Sequence, residues 1–168
     1  MTLEHLWAGW RASYIENVAT KPPADDGCLF CRLQEADSEE GLVVARNDLV
    51  FAMMNAYPYT SGHLMVAPLR HEGTLSGLST DEANALMAMT QDATVAVDSA
   101  FHPDGANVGV NIGRAGGAGI PGHVHVHVVP RWNGDTNFMT TVADARVLPE
   151  PLRLSWDKVR KHWPKPVR

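Results

Sequence analysis

Three histidines alternate with valines in the run His123-Val124-His125-Val126-His127-Val128-Val129. Successive side chains of an extended chain point to opposite faces, so the imidazoles share one face and the valines pack on the other. With a rise of about 3.3 Å per residue, neighbouring imidazoles are rooted about 7 Å apart, and the apolar face fixes the register. Three partly desolvated imidazoles side by side cannot all be charged cheaply, which favours neutral, nucleophilic rings at pH 7. Such a ring attacks phosphorus through Nε2 when an acceptor, for example a backbone carbonyl, holds its Nδ1–H. The phospho-imidazole that results is labile enough to pass its group to water or to another acceptor. Just ahead of the run lie Gly116, Gly117, Gly119 and Gly122. Glycines let backbone N–H groups approach an anion closely, as a phosphate cradle requires. A glycine run by itself is more often a plain turn. Joined directly to the histidines, it places phosphate binding beside phosphate attack.

Other readings of the same residues stand beside this one. Isolated histidines on a strand are usually surface or satisfied groups, and H-x-H on a strand is also a familiar zinc arrangement. Against a catalytic metal counts the scarcity of carboxylates near the triplet, where only Asp135 follows, across a loop. The two cysteines, Cys28 and Cys31, are spaced C-x-x-C ahead of the first expected strand, a zinc-knuckle spacing. A redox pair, which here lacks a surrounding βαβ pattern, and two packed apolar cysteines are the alternatives.

The elements that must position these groups read as an α+β domain, an antiparallel sheet carrying one main helix. Residues 41–46 and 49–54 are short apolar runs parted by Asn47-Asp48, a hairpin signal. Residues 63–68 form a third strand closed by Pro68. The long helix runs from Ser79 to about Phe101. Ser79 and Glu82 have capping-box spacing, and Asp81 suits the positive end of the helix dipole. An apolar stripe of Ala83, Leu86, Met87, Thr90, Ala93, Val97 and Ala100 follows at spacings of three and four. After Pro103-Asp104-Gly105 come a strand at 107–112, the glycine loop at 113–122 and a strand at 123–129. Residues 151–163 have a helical pattern, and residues 3–15, with Trp7, Trp10 and Tyr14, read as a docking helix. The chain divides into an N-terminal docking segment and linker at 1–27, a main domain at 28–140 and a C-terminal extension at 141–168.

Composition narrows the function class. A chain of 168 residues, 45% hydrophobic, can bury one substantial core. The net charge of −5 argues against a nucleic-acid binder but not against a small anion held by a few local donors. No apolar stretch is long enough to span a membrane and no signal-peptide core opens the chain, so a cytoplasmic location is expected.

The triplet resembles the signature of the histidine-triad (HIT) family, alternating histidine and apolar residues, matched from His123 to Val129 without a mismatch. Phe51 to Tyr59 with Ser61 to His71 resembles the family's strand pair and its G-H…P-x-x-H element. Asn111-Ile112-Gly113 and the stretch from Pro130 to Phe138 resemble a bacterial branch of diadenosine-polyphosphate hydrolases or phosphorylases. The resemblance implies a five-stranded antiparallel sheet with a long helix, commonly paired with a second subunit into a larger sheet, hence a homodimer. It implies cleavage at the α-phosphate of a nucleotide, preferably an adenine nucleotide, through a covalent intermediate on His125. His127 would contact the phosphate and assist proton movement, with His63 supporting the cluster. Asn55 matches the ribose-contacting position, and Asn111, Gly117 and Gly119 match the phosphate-side loop. Where many relatives carry Ser, Thr or Gln, this loop has Gly119 and Ile120, which leaves water and phosphate both open as acceptor. In zinc-bearing members the ligands resemble Cys28, Cys31, His71 and His123, and four protein ligands would make the zinc structural. No organic cofactor is implied. A phosphoramidase cleaving P–N bonds and a non-catalytic nucleotide-binding module are the remaining alternatives.

Overall fold

The computed structural model describes residues 27–36, 40–135 and 150–164. The expected docking helix and nearly all of its linker lie outside these residues, as does the first part of the C-terminal extension. Five strands form one antiparallel sheet in the order β1-β2-β3-β5-β4: β1 (Val43–Arg46), β2 (Val50–Met54), β3 (Leu64–Pro68), β4 (Gly105–Val110) and β5 (Val126–Arg131). Helix α1 (Leu29–Leu33) carries the cysteine segment, α2 (Thr80–Phe101) is the long helix and α3 (Leu152–His162) follows the sheet. The fold is the expected α+β arrangement. No helix among the described residues is long and apolar enough to cross a membrane.

Local chemistry sets the element ends. Asn47 Oδ1 accepts the N–H groups of Leu49 (2.9 Å) and Val50 (2.8 Å), closing the β1–β2 turn. At the start of α2 the capping box is complete: Ser79 Oγ accepts Glu82 N–H at 3.2 Å, and Glu82 Oε2 accepts Ser79 N–H at 2.8 Å. The buried stripe of α2 is Glu82, Leu86, Met89, Thr90, Ala93, Ala96 and Val97. It shares its axis with the expected stripe but is displaced sideways. Met87 is 58% exposed while Met89 packs inward, because tertiary packing selects between two methionines that spacing alone leaves equivalent.

The sheet separates two cores. Val50, Ala52, Met54, Leu64, Val66, Val126 and Val128 pack with α2 and with Trp156 and Val159 of α3. On the other face Phe51, Met53, Met65 and Ala67 pack with Phe30 of α1. Trp156 Nε1 donates to Val43 O at 3.1 Å, so α3 is tied to the outer strand β1. His127 pairs with Met65 and therefore lies on the Phe30 face, opposite the long helix.

The last strand begins later than its sequence pattern suggests. Regular pairing of β5 with β3 starts at Val126, so His123 and His125 belong to its extended approach. Continuing the register sets Val124 opposite Pro68, which has no N–H to offer a ladder. Pro68 O instead accepts His123 Nε2–H at 2.8 Å, and Val124 N–H goes to Glu72 O at 2.6 Å. Strand β4 likewise starts at Gly105, two residues before the expected position, and ends at Val110.

Candidate active site and metal centre

A continuous row of aromatic rings crosses the face of the sheet away from α2. His71 meets His123 at 5.4 Å between centroids, and Phe30 meets both His123 (5.1 Å) and His125 (4.7 Å). His125 meets His127 at 4.8 Å, His127 meets His63 at 5.2 Å, and His63 lies 4.6 Å from Tyr59. The expected catalytic and metal residues are thus gathered on one face, metal candidates at one end and His63 at the other.

Hydrogen bonds decide which nitrogen each imidazole leaves available. His125 Nδ1 is 2.8 Å from the carbonyl oxygen of His123. A carbonyl only accepts, so the proton sits on Nδ1 and the lone pair on Nε2. This is the arrangement a nucleophilic imidazole needs. At His63, Tyr59 N–H donates to Nδ1 at 3.1 Å, and the Asn55 amide reaches the same nitrogen at 3.4 Å. The His63 proton is therefore on Nε2, from which it donates to His127 Nδ1 at 3.0 Å. His127 in turn carries its own proton on Nε2. Two neighbouring rings thus present the same nitrogen in opposite states, a lone pair on His125 Nε2 and a donor on His127 Nε2.

Burial keeps these rings neutral. His63 is pushed down to about 3, first by burial and then by His127 and His125. His127 is pushed down to about 4 by burial and by His125. His125 and His123 are lowered too, burial being the main cause, with a backbone carbonyl opposing it in each case. Positive charge is thus disfavoured at His63, His123, His125 and His127, as the sequence pattern suggests.

The loops on either side are held tightly. Gly62 has φ +81°, and a Cβ there would lie 2.6 Å from Phe101 Cε2, so only glycine delivers His63 into its buried place. Gly117 also has positive φ. Its N–H donates to Arg114 O (3.0 Å), and Ala118 N–H donates to Gly113 O (3.2 Å). These two amides brace the glycine loop itself, so an open row of amides is not what the loop presents at this point. Asn111 Nδ2 donates to Gly117 O at 3.5 Å, closing the same loop. Asn55 is also committed, its Oδ1 accepting Tyr57 N–H at 2.9 Å.

At the other end, one ligand atom from each of Cys28, Cys31, His71 and His123 lies within 4.8 Å of the others. Cys28 Sγ is 3.3 Å from His123 Nδ1, Cys31 Sγ 3.4 Å from His71 Nδ1 and 3.7 Å from His123 Nδ1. Tetrahedral zinc with Zn–S about 2.3 Å and Zn–N about 2.0 Å requires such pairs to be about 3.5 Å apart. Pro68 O holds the Nε2–H of His123, leaving the Nδ1 lone pair aimed at the sulfurs, as a metal-bound histidine is normally held from behind. The donor set and its spacing are compatible with zinc. Burial and the adjacent Cys28 push the Cys31 thiol up.

Two contributors escaped the sequence reading. Phe30 is fully buried between the cysteines and touches two histidines, and Tyr59 supplies both a ring and an N–H to His63. Tyr59 stood in a recognisable segment, and Phe30 inside C-x-x-C, but neither position carries a chemical signal by type.

Comparison with known proteins agrees with this geometry. The HIT domain family matches residues 37–134. An AP-4-A phosphorylase of Mycobacterium tuberculosis is 41% identical over 155 residues, covering 90% of this chain and 80% of that protein. An asymmetrical bis(5'-nucleosyl)-tetraphosphatase of Schizosaccharomyces pombe is 31% identical over 93 residues, covering 55% of this chain and 50% of that protein. Among solved structures, a Zn-bound histidine triad family protein from Mycobacterium smegmatis superimposes with a TM-score of 0.67 at 26% identity, covering 82% of this chain and 93% of that one. By its motif, its sheet order and these matches, the chain belongs to the histidine-triad family.

Proposed function

We propose that this chain is a nucleotidyl hydrolase or transferase that cleaves dinucleoside polyphosphates of the diadenosine tetraphosphate type at an α-phosphate, through a nucleotidyl group carried on His125. The observation that carries the reading is the bond from His125 Nδ1–H to His123 O, which leaves a lone pair on Nε2 of a buried, neutral ring. The names of the mycobacterial and fission-yeast relatives support the substrate class.

In this reading His125 Nε2 attacks the α-phosphorus, and the bond to the leaving phosphate oxygen breaks. His127 donates its Nε2 proton to that oxygen, while His63 Nε2–H stays on His127 Nδ1 and fixes the ring. Water or inorganic phosphate then attacks the nucleotidyl group, returns a proton to His127 and frees His125. Dividing one displacement into two lets a single site discharge the leaving group before admitting the acceptor. Asn55 serves the ribose, with an adenine base preferred, and Asn111, Gly117 and Gly119 form the phosphate side. Cys28, Cys31, His71 and His123 would hold a structural zinc, which supplies no step in the reaction and ties α1 to the approach of β5. A homodimer formed through β4 is part of the same reading, supported by that strand's edge position and by the half-exposed Val108. The proposed setting is the cytoplasm, and the domain comprises residues 28–140 between the two terminal segments.

The test is product analysis with diadenosine tetraphosphate, with and without inorganic phosphate, and with adenosine phosphoramidate in parallel. A brief quench is expected to trap adenylyl on His125. His125→Asn is expected to lower turnover by about 10⁴-fold or more while nucleotide still binds. Near-normal turnover by His125→Asn overturns the nucleophile assignment. Preference for the phosphoramidate overturns the substrate class, and binding without turnover of either compound leaves only a nucleotide-binding module.

A further inference from the structure

Phe30 sits where a metal ligand segment and the proposed nucleophile meet. It lies on α1 between Cys28 and Cys31, its side chain is fully buried, and its ring centroid is 4.7 Å from His125 and 5.1 Å from His123. Phe51 backs it from the sheet at 6.4 Å in an edge-on arrangement. The hydrogen bond to His123 O fixes one atom of His125, and a ring held at a single atom can still rock about it. Phe30 covers one side of that imidazole, and His127 meets it at 72°. Movement of the imidazole toward Phe30 is blocked by a fully buried side chain on the short helix that carries both cysteines.

We propose that Phe30 is a positioning residue for His125, and that the Cys2His2 group serves catalysis by holding this ring against the nucleophile. The inference rests on the proposed function, since it gives His125 its reacting role. Two consequences distinguish it from simple core filling. The tautomer of His125 should depend on Phe30 in the nucleotide-free protein, and kcat should fall without a matching change in nucleotide affinity.

The experiment compares the zinc-loaded full chain with Phe30→Leu, Phe30→Ala and Phe30→Tyr. Ring ¹⁵N shifts of His125 are recorded above pH 7 without nucleotide, zinc content is measured, and a non-hydrolysable dinucleotide reports affinity. Single-turnover adenylylation of His125 is then timed with diadenosine tetraphosphate. In Phe30→Ala the Nδ1–H tautomer should give way to a mixture and adenylylation should slow about a hundredfold, with zinc retained and affinity within threefold. Phe30→Leu, which keeps apolar volume but not the flat face, should fall between, and Phe30→Tyr should restore most of the rate. Adenylylation near normal in both Ala and Leu variants overturns the inference. So does slowing matched by an equal loss of affinity or of zinc, or slowing with the His125 tautomer unchanged. His125→Asn, run beside them, separates the two failures: if it still turns over, the proposed function falls, whereas a dead His125→Asn with a normal Phe30→Ala removes only the role of Phe30.

Discussion

His123 and His125 are two residues apart, nearly equally buried, and both packed on Phe30, yet they offer opposite nitrogens. His123 gives its Nε2–H to Pro68 O and turns Nδ1 toward two sulfurs. His125 gives its Nδ1–H to the carbonyl of His123 and leaves Nε2 with the lone pair. Which nitrogen each ring leaves free follows from which backbone carbonyl it finds, not from residue type. One residue joins the two ends: the side chain of His123 belongs to the Cys2His2 cluster and its carbonyl accepts from His125.

If this division holds, removing metal should act on the fold and only secondarily on chemistry. Chelation, or Cys28→Ser with Cys31→Ser, should release one zinc per chain and lower Tm by about 10 °C or more, since α1 then loses its anchor. Activity should decline with the loss of structure. Immediate loss of turnover by a protein whose unfolding curve is unchanged would assign the metal to the catalytic end and break the comparison. Calorimetry and a chelator time course read both quantities.

The proposed catalytic end is tested by His63, which bonds to Tyr59 and His127 rather than to the Cys2His2 cluster. His63→Ala removes the donor on His127 Nδ1 and should lower turnover about 10²-fold with zinc content unchanged. His63→Gln, whose amide can still donate toward His127, should recover part of that loss. Equal turnover by the two variants would show that a donor toward His127 Nδ1 is not what the site needs from His63.

Much of this arrangement was legible in the sequence because it rests on local rules. The alternating histidines, the Ser79–Glu82 capping box and the Asn47 turn are each specified by residues a few positions apart, and each is present. The four thiol and imidazole groups were recognisable by family resemblance, and the fold brings them together. What stayed hidden depends on distant partners. The start of β5 is decided by a proline on β3, the inward methionine of α2 by the packing of α3 and the sheet, and the contacts of Phe30 and Tyr59 by tertiary placement. The glycine loop shows the limit of reading composition: its glycines do permit unusual φ, but the amides of Gly117 and Ala118 close the loop's own turns.

Acid provides a graded test of the same end. His63 and His127 have folded pKa values of about 3 and about 4, below the ordinary 6.5 of an unfolded chain. Between these limits the unfolded state binds more protons, so stability is fully present above pH 6.5 and is lost as pH falls toward 4 and then 3. Each group contributes a slope of about 1.4 kcal/mol per pH unit within its window. Acid also releases metal from histidine and thiolate, so the informative quantity is the difference between the protein and His63→Gln, both metal-free. Denaturant unfolding from pH 7 to 5 should show a shallower slope in the variant, and identical slopes would mean that His63 is protonated in the folded state.

The smallest expected effect lies on the arm that carries His71. Glu82 closes the capping box with Ser79 and also binds Arg70 through two bonds of 2.8 Å, which holds its carboxyl down to about 2. Arg70 in turn donates to Gly77 O at 2.8 Å, and two residues further on Glu72 O receives Val124 N–H. Ser79→Ala removes the acceptor for Glu82 N–H but leaves Glu82 free to keep Arg70. The loss should therefore be that of a helix cap alone, about 1 kcal/mol, read from the denaturant midpoint at constant m. Zinc affinity and turnover should both stay within about twofold, because the bonds from Arg70 and Glu72 to the neighbouring segments survive. A tenfold fall in zinc affinity with turnover intact would show that the cap orients His71 and would sharpen the division between the two ends. A parallel fall in both would place the cap beneath His123 and His125 together, through the single bond at Val124.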